Sequence, residues 1–528
     1  MSLRTEVLQL SLTVSSSSGS PNEDTTIRTM EAFSGYPIHE SNSFVTNLVS
    51  SLSVDTETLQ KQIDELSTFS DTPAPSVTRV LHTENDVLAR SYIKNLMGIS
   101  GLSVREDAVG NIYELASVAT GSHIDAIPYS GKYDGVTGVL GALEAINVLK
   151  RSGFKPRRSL EVIMFTSEEP TRYGISCLGS RLLAGIESLA KDLTSIVDGK
   201  NISFLDAARS AGYAKEHNDL SSVFLKKGSY FAFVELHIEQ GPILEKEGTS
   251  IGIVTAIAAP ASIKADFEGT GGHAGAVLMP NRNDAGLAAA ELALAVEKHV
   301  LESGSIDTVG TVGILELHPG AINSIPIKSQ LEIDIDEKRR NAVIEKIHQS
   351  AITIAKNRGV TLSELKIVNQ DPPALSEKSI IEAAEAVSKE LNLTHKFMIS
   401  RAYHDSLFMA RYRQRERVNI RTFFSTMLYV PLFGVPSTMF LNMKILLFSS
   451  PVLFFERGGK SNDSKHQNLG IQVKKIFQGD NWGVSPMGMI FIACYKGYSH
   501  KPEEYASCED MENGVKVLAL TLAKLSLQ

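Results

Sequence analysis

The chain has three cysteines, Cys177, Cys494 and Cys508, and one tryptophan, Trp482, in 528 residues. An odd number of thiols at unrelated spacing supports neither a disulfide framework nor a zinc knuckle. Positive charge is short as well. Lys and Arg number 52 against 60 Asp and Glu, a net charge of -8, which argues against nucleic acid as the main partner. Long apolar runs are nearly absent. Thr422 to Met443 carries no charge and approaches the length of a membrane span, yet Pro431, Gly434, Pro436 and Asn442 interrupt it and Lys444 closes it. A membrane partner is therefore not expected. Leu8 to Val14 is too weak an apolar run behind Arg4 to read as a signal peptide. Residues 1–54, with Ser15-Ser-Ser-Ser-Gly-Ser20 and no helical period, read as a disordered tail.

What is present is the make-up of an ordinary globular enzyme, 43% hydrophobic and 21% charged. At this length one core is insufficient, and two domains plus unstructured extras are expected. Leu59, Ile63 and Leu66 fall at helical spacing behind an Asp55-Thr56 start signal. Val118 to Gly121 reads as a buried strand. Gly135 to Lys150 reads as a helix with Val136, Val139, Leu140, Leu143 and Ile146 on one face, and Leu160 to Thr166 as the next buried strand. This alternation predicts an α/β fold with a mixed, mostly parallel sheet, whose ligands collect at strand carboxyl ends.

From about Ala259 the texture changes. Ile263, Ala265 and Phe267 alternate with Lys264 and Asp266 as in a half-exposed strand. Helices at Asp284 to Val300 and Asn341 to Lys356, with strands near Thr308 to Leu317 and Ser329 to Ile335, suggest a small inserted α+β domain over 259–371. The catalytic domain then comprises 55–258, 372–411 and 485–528, with helices at Lys378 to Leu391 and Met511 to Leu527.

Histidines and carboxylates recur where this sheet would present ligands. Alone, His123 reads as a structural histidine and Asp134 as a turn residue. Asp125, two residues on, can orient an imidazole, and Asp134 precedes the helix that packs on the sheet. The pair Glu168-Glu169 follows a buried strand, so one carboxylate can bind metal while the other takes a proton from water. His237 and His500 complete an inventory fit for two divalent cations.

These residues stand in Gly121-Ser-His-Ile-Asp125, Gly131-Lys-Tyr-Asp-Gly135, Phe165-Thr-Ser-Glu-Glu-Pro-Thr-Arg-Tyr-Gly174, Glu235-Leu-His-Ile-Glu-Gln-Gly-Pro242, Gly271-Gly-His-Ala-Gly275 and Cys494-Tyr-Lys-Gly-Tyr-Ser-His-Lys-Pro-Glu-Glu-Tyr505. The set resembles the dimetal amidohydrolases related to aminoacylases and bacterial carboxypeptidase G, in the branch of carbamoylases, allantoate hydrolases and plant ureidoglycolate amidohydrolases. The likeness spans residues 55–411 and 485–528. It implies an aminopeptidase-like catalytic domain with an inserted lid and dimerisation domain. His123 and His237 would hold one metal, Glu169 and His500 the other, and Asp134 would bridge. Glu168 would be the general base and Asp125 the residue that orients a ligand. Gln240, His273, Asn323, Tyr403 and His404 would form the substrate shell. The resemblance further implies manganese, with zinc as the alternative, a homodimer, and residence in the endoplasmic reticulum, with the cytoplasm as the alternative. The activity implied is hydrolysis of the ureido C–N bond of a small anionic substrate, ureidoglycolate first, then allantoate or an N-carbamoyl amino acid.

The chain departs from that pattern in three places. Glu114-Leu-Ala-Ser leads straight into Val118, where relatives carry a hairpin. Leu331-Glu-Ile-Asp-Ile-Asp-Glu-Lys-Arg-Arg lacks the Asp-x-Arg arginine that binds the substrate carboxylate, and Arg339 and Arg340 come too late to replace it. Residues 412–484 separate His404-Asp-Ser-Leu-Phe-Met-Ala-Arg411 from Ser485-Pro-Met, which are expected nearly to abut. The segment reads as an atypical, disordered or non-native insertion, such as translated non-coding sequence. The missing arginine and the insertion before His500 also admit a catalytically impaired chain.

Overall fold

The computed structural model describes Val49, residues 52–410 apart from 114–116, 215–219, 227, 259, 306–307 and 337–339, and residues 484–528. It adds two short strands, Met443–Leu447 and Leu453–Arg457, paired antiparallel. Nearly all of the expected tail, most of the expected insertion and Glu114-Leu-Ala lie outside the described residues.

Helix α1, Thr56–Ser67, starts where the Asp55 side chain accepts from Thr58 N and buries Leu59, Ile63 and Leu66. Strand β1, Val118–Ser122, is buried at every position, and Gly135, at φ 65°, turns the chain into helix α2, Val136–Arg151. A single apolar face is predicted for α2, but the helix is buried from Val136 to Leu149 on nearly every side. It lies between the sheet and the C-terminal helix, Cys508–Leu527, and Gly138 and Gly141 let it approach the backbone and side chain of Leu236. Strands β2, Leu160–Met164, β3, Ala232–Ile238, and β4, Ile251–Ile257, follow.

Four antiparallel strands then form a separate sheet in the order β6-β7-β5-β8: β5, Ala261–Glu268, β6, Val309–His318, β7, Lys328–Asp336, and β8, Thr361–Gln370. Helices α3, Ala285–Leu301, and α4, Arg340–Arg358, share its core. There Ile263, Ala265, Phe267 and Leu331 meet Ala288, Leu292, Val296, Ile347 and Ile354. Asp266, predicted to face solvent, is buried. Lys264 and Lys328 reach its carboxylate at 3.4 and 3.5 Å and cover it.

The chain returns through α5, Lys378–Glu390, β9, His395–Ser400, β10, Met487–Ile492, and α6, Cys508–Leu527. The nine-stranded sheet runs Ala374–Leu375, β4, β10, β3, β1, β2, Ile112–Tyr113, Arg105–Glu106, with β9 also on β4. Its middle strands β10, β3, β1 and β2 are mutually parallel, whereas β4 and Ile112–Tyr113 run antiparallel to their inner neighbours. The fold class is thus α/β with a mixed sheet, parallel at its centre. Ala410 and Ser485 form a parallel bridge, and Ser485 N donates to Met409 O at 2.9 Å. The described chain therefore closes across residues 411–483. Among the described residues no helix is long and apolar enough to cross a membrane.

Candidate metal centre

Because β10, β3, β1 and β2 are adjacent and parallel, whatever follows them lies along one edge of the sheet. His123 comes directly after β1, Glu168 and Glu169 just beyond β2, and His500 in the loop after β10. His237 lies inside the last residues of β3. Asp134 arrives on the loop before α2. A Cβ at Gly135 would stand 2.4 Å from His123 Nε2, so the positive φ and the space both demand glycine there.

Asp134 is shared between two groups. Its Oδ1 lies 3.2 Å from His237 Nε2 and 3.5 Å from His123 Nε2. Its Oδ2 lies 3.4 Å from His500 Nε2, which is also 3.0 Å from Glu169 Oε1. In each triad, His123–Asp134–His237 and Asp134–Glu169–His500, the donor atoms fall within 4.8 Å of one another. Imidazole and carboxylate donors without thiolate suit zinc or manganese rather than a soft-metal site.

The orienting contacts differ from ligand to ligand. His123 Nδ1 lies 3.2 Å from Asp125 O and 3.4 Å from Asp125 Oδ1, while both Asp125 oxygens accept from the backbone N–H groups of Glu168 and Glu169. One carboxylate therefore ties the first histidine to the acidic pair. His237 Nδ1 faces Ile238 O at 2.9 Å, which leaves Nε2 toward Asp134.

Electrostatics report a pocket short of positive charge. Burial works against charge on His123 and His237, but Asp125 and Asp134 beside the first and Asp134 beside the second raise both. Burial likewise opposes charge on His500, yet Glu169 and Asp134 push it up to about 11. Asp134 resists burial because three imidazoles hold it well below the carboxylate range. The same carboxylates that favour charge on these imidazoles would favour divalent cations, whose binding would displace the protons. Glu168 behaves oppositely. Burial, with Glu169, Asp405 and Asp125 around it, raises it well above the usual range despite His123. It lies outside both triads, with Oε2 3.9 Å from His123 Nε2, and its Oε1 accepts from Cys177 Sγ at 3.2 Å.

The expected substrate shell divides. Gln240 Nε2 donates to Asp134 Oδ2 at 2.6 Å, and the His404 ring stands edge-on to His237 at 4.7 Å, both against the centre. Tyr403 is held at the junction of the two sheets. Its hydroxyl donates to Asp371 Oδ2 at 2.8 Å and Pro260 O at 3.2 Å, and Arg181 grips the same Asp371 at 3.1 and 2.6 Å. Arg340 donates to Asp371 O and Pro260 O, so the nearest described arginine beyond β7 is tied to this junction. His273 and Asn323 are exposed, on and beside a short ribbon in which Gly272–His273 pairs with Ser324–Ile325. Their observed hydrogen bonds stay there: Gly275 N donates to His273 Nδ1, and Ala274 N to Asn323 O.

Several residues not anticipated from the sequence surround the centre. Ser499 Oγ donates to Asp134 Oδ2 at 2.6 Å, and Glu504 Oε1 accepts from Tyr133 N and Asp134 N. Below, Glu235 accepts from Ser122 Oγ at 2.7 Å and Ser406 Oγ at 2.6 Å. Glu235, His237 and His404 also lie within ligating distance of one another, but those hydroxyls already engage Glu235.

The family model for peptidase family M20/M25/M40 matches residues 119–427. A ureidoglycolate hydrolase of Arabidopsis thaliana is 64% identical, covering 99% of this chain and 97% of the relative. One of Oryza sativa subsp. japonica is 62% identical over 95% and 91%. An N-carbamoyl-L-amino-acid amidohydrolase of Paenarthrobacter aurescens is 35% identical over 67% and 87%. The crystal structure of AtUAH in complex with (S)-hydroxyglycine has a TM-score of 0.76 at 64% identity, over 91% of this chain and 100% of that chain. A second, in complex with glyoxylate, has the same TM-score. With two triads joined by one aspartate on a chain so matched, the protein belongs to the M20/M25/M40 peptidase family.

Proposed function

We propose that this chain is a dimetal amidohydrolase that cleaves the ureido C–N bond of (S)-ureidoglycolate. One water and one substrate yield glyoxylate, carbon dioxide and two ammonia molecules. The observation that carries the chemistry is Asp134, with one oxygen toward His123 and His237 and the other toward His500, beside Glu169. The substrate choice is supported by the 64% identity to a ureidoglycolate hydrolase and by the likeness to AtUAH structures holding hydroxyglycine and glyoxylate. Hydroxyglycine is the amine left once the carbamoyl group is removed, and it loses ammonia to give glyoxylate.

His123, His237 and Asp134 would hold one cation, and Asp134, Glu169 and His500 the other, with manganese as the proposed metal. Divalent ions at such a site lower the pKa of water and polarise a carbonyl. Glu168 accepts the proton of the attacking water and returns it to the departing nitrogen, and its raised affinity for protons suits the second role. Cys177 steadies one of its oxygens and leaves the other for the proton. Asp125 keeps His123 and the backbone of Glu168 and Glu169 in one frame. A homodimer through the four-stranded sheet is the proposed assembly, and edge strand β6 exposes Ile314, Leu315 and Leu317.

Comparative turnover on ureidoglycolate, allantoate and an N-carbamoyl amino acid tests the substrate. Ureidoglycolate is expected to give the highest kcat/KM, and faster ammonia release from allantoate overturns the assignment.

A further inference from the structure

Glu504 lies outside both triads, yet its carboxylate is buried, 3% exposed, against the loop that carries the shared aspartate. Oε1 accepts from Tyr133 N at 2.7 Å and from Asp134 N at 2.8 Å. Two consecutive backbone donors converging on one oxygen fix the peptide planes on either side of the Tyr133 Cα, and with them the point from which the Asp134 side chain leaves the backbone. The packing is equally close. A Cβ at Gly131 would fall 2.3 Å from Glu504 Cβ, so this loop can close only over a residue without a side chain. The remaining oxygen, Oε2, is buried and has no hydrogen-bond partner among the described residues, so the two N–H groups account for the polar contacts of this carboxylate.

The position of Glu504 in the chain adds a second argument. Residues 499 to 504 meet Asp134 three times: Ser499 Oγ at 2.6 Å on Oδ2, His500 Nε2 at 3.4 Å on the same oxygen, and Glu504 on its backbone N–H. One short segment thus supplies a ligand to the second triad and sets the carboxylate common to both.

We infer that Glu504 is a positioning residue for the dimetal centre: by capping the Tyr133 and Asp134 amides it holds Asp134 where one oxygen can serve each cation. The inference rests on the two-metal reading above. Removing the cap lets the loop turn, and the shared carboxylate no longer spans both triads.

The test uses full-length protein freed of metal and titrated with manganese by calorimetry, with kcat and KM measured on ureidoglycolate in parallel. Wild type is expected to bind two ions. Glu504→Ala is expected to bind at least one of them about tenfold or more weakly and to lose kcat by a similar factor with KM nearly unchanged. Glu504→Gln, which keeps the acceptor oxygen, is expected to restore both. Gly131→Ala wedges the same contact while leaving the carboxylate in place, and it is expected to reproduce the alanine phenotype even where Glu504→Ala does not fold. Two ions bound with wild-type affinity and unchanged kcat in Gly131→Ala or Glu504→Ala overturn the inference. Failure of Glu504→Gln to rescue overturns it too. A wild-type protein that takes up no manganese overturns the two-metal reading itself, and this role with it.

Discussion

Glu168 has different neighbours for its two oxygens, Cys177 Sγ on Oε1 and His123 Nε2 near Oε2. Glu168→Gln keeps the shape and removes the base. It is expected to lower kcat by roughly 10²- to 10⁴-fold while two manganese ions still bind, measured by ammonia release and calorimetry. Retained turnover contradicts the role. Outside both triads, His82 is packed between the Phe204 and Tyr213 rings, and burial, with Arg90 next, lowers it to about 3 from 6.5. The unfolded chain therefore takes up a proton that the folded one refuses. Stability associated with His82 is complete above pH 6.5 and declines as pH falls toward 3, by up to about 1.4 kcal/mol per pH unit. His82→Asn, which tolerates the residue's φ of 58° and does not titrate, is expected to flatten the acid limb of a urea-unfolding series between those values. An unchanged slope refutes this. At this scale the metal-ligand candidates singled out in the sequence, His123, Asp134, Glu169, His237 and His500, converge in space, because strand ends and glycine-flanked turns leave a local signature, whereas His273 stays on its own ribbon. Glu504 and Glu235 left none. Glu504 stands inside the Lys-Pro-Glu-Glu-Tyr stretch without a role of its own being legible there, because its partners lie some 370 positions away.

Between β1 and β2 the strands meet more closely than side chains allow at one point. A Cβ at Gly121 would lie 1.9 Å from Ile163 O, at φ 143°. Gly121→Ala is expected to destabilise the fold by roughly 3 kcal/mol. The urea midpoint checks this, and a shift equivalent to under about 1 kcal/mol would contradict it. Most elements could be read from sequence because period and caps agree, as in α1 with its Asp55 cap, or α3 with its Asp284 cap. Helix α2 was less legible. Its polar positions are few, and its full burial depends on α6, which the chain reaches only at Cys508. Asp266 misled for a related reason: the lysines that cover it, Lys264 and Lys328, come from two different strands. Alternation along one strand does not reveal cross-strand charge.

At the scale of the molecule, the α/β class and the parallel centre of the sheet were legible from strand-helix alternation. The antiparallel strands β4 and Ile112–Tyr113 were not, since direction at a sheet edge depends on pairing rather than composition. Excising residues 411–483 and joining the ends through a short Gly/Ser linker is expected to leave manganese uptake and kcat/KM within roughly a factor of two of the intact chain. Loss of both refutes it. The reason is the bridge between Ala410 and Ser485, with Ser485 N on Met409 O.

That bridge has a consequence for how the polypeptide can be divided. Closing a loop grows costlier only slowly with length, about 0.6 kcal/mol per doubling, so a backbone that leaves and re-enters at one hydrogen bond accepts almost any length between. A cut anywhere within 411–483 separates a large fragment bearing His123, Asp134, Glu169 and His237 from a small one bearing β10, His500, Glu504 and α6. Neither fragment alone carries both triads. The small fragment is seated by the pairing of β10 with β3 and β4 and by the packing of α6 on α2, and the second triad is complete only while it is in place.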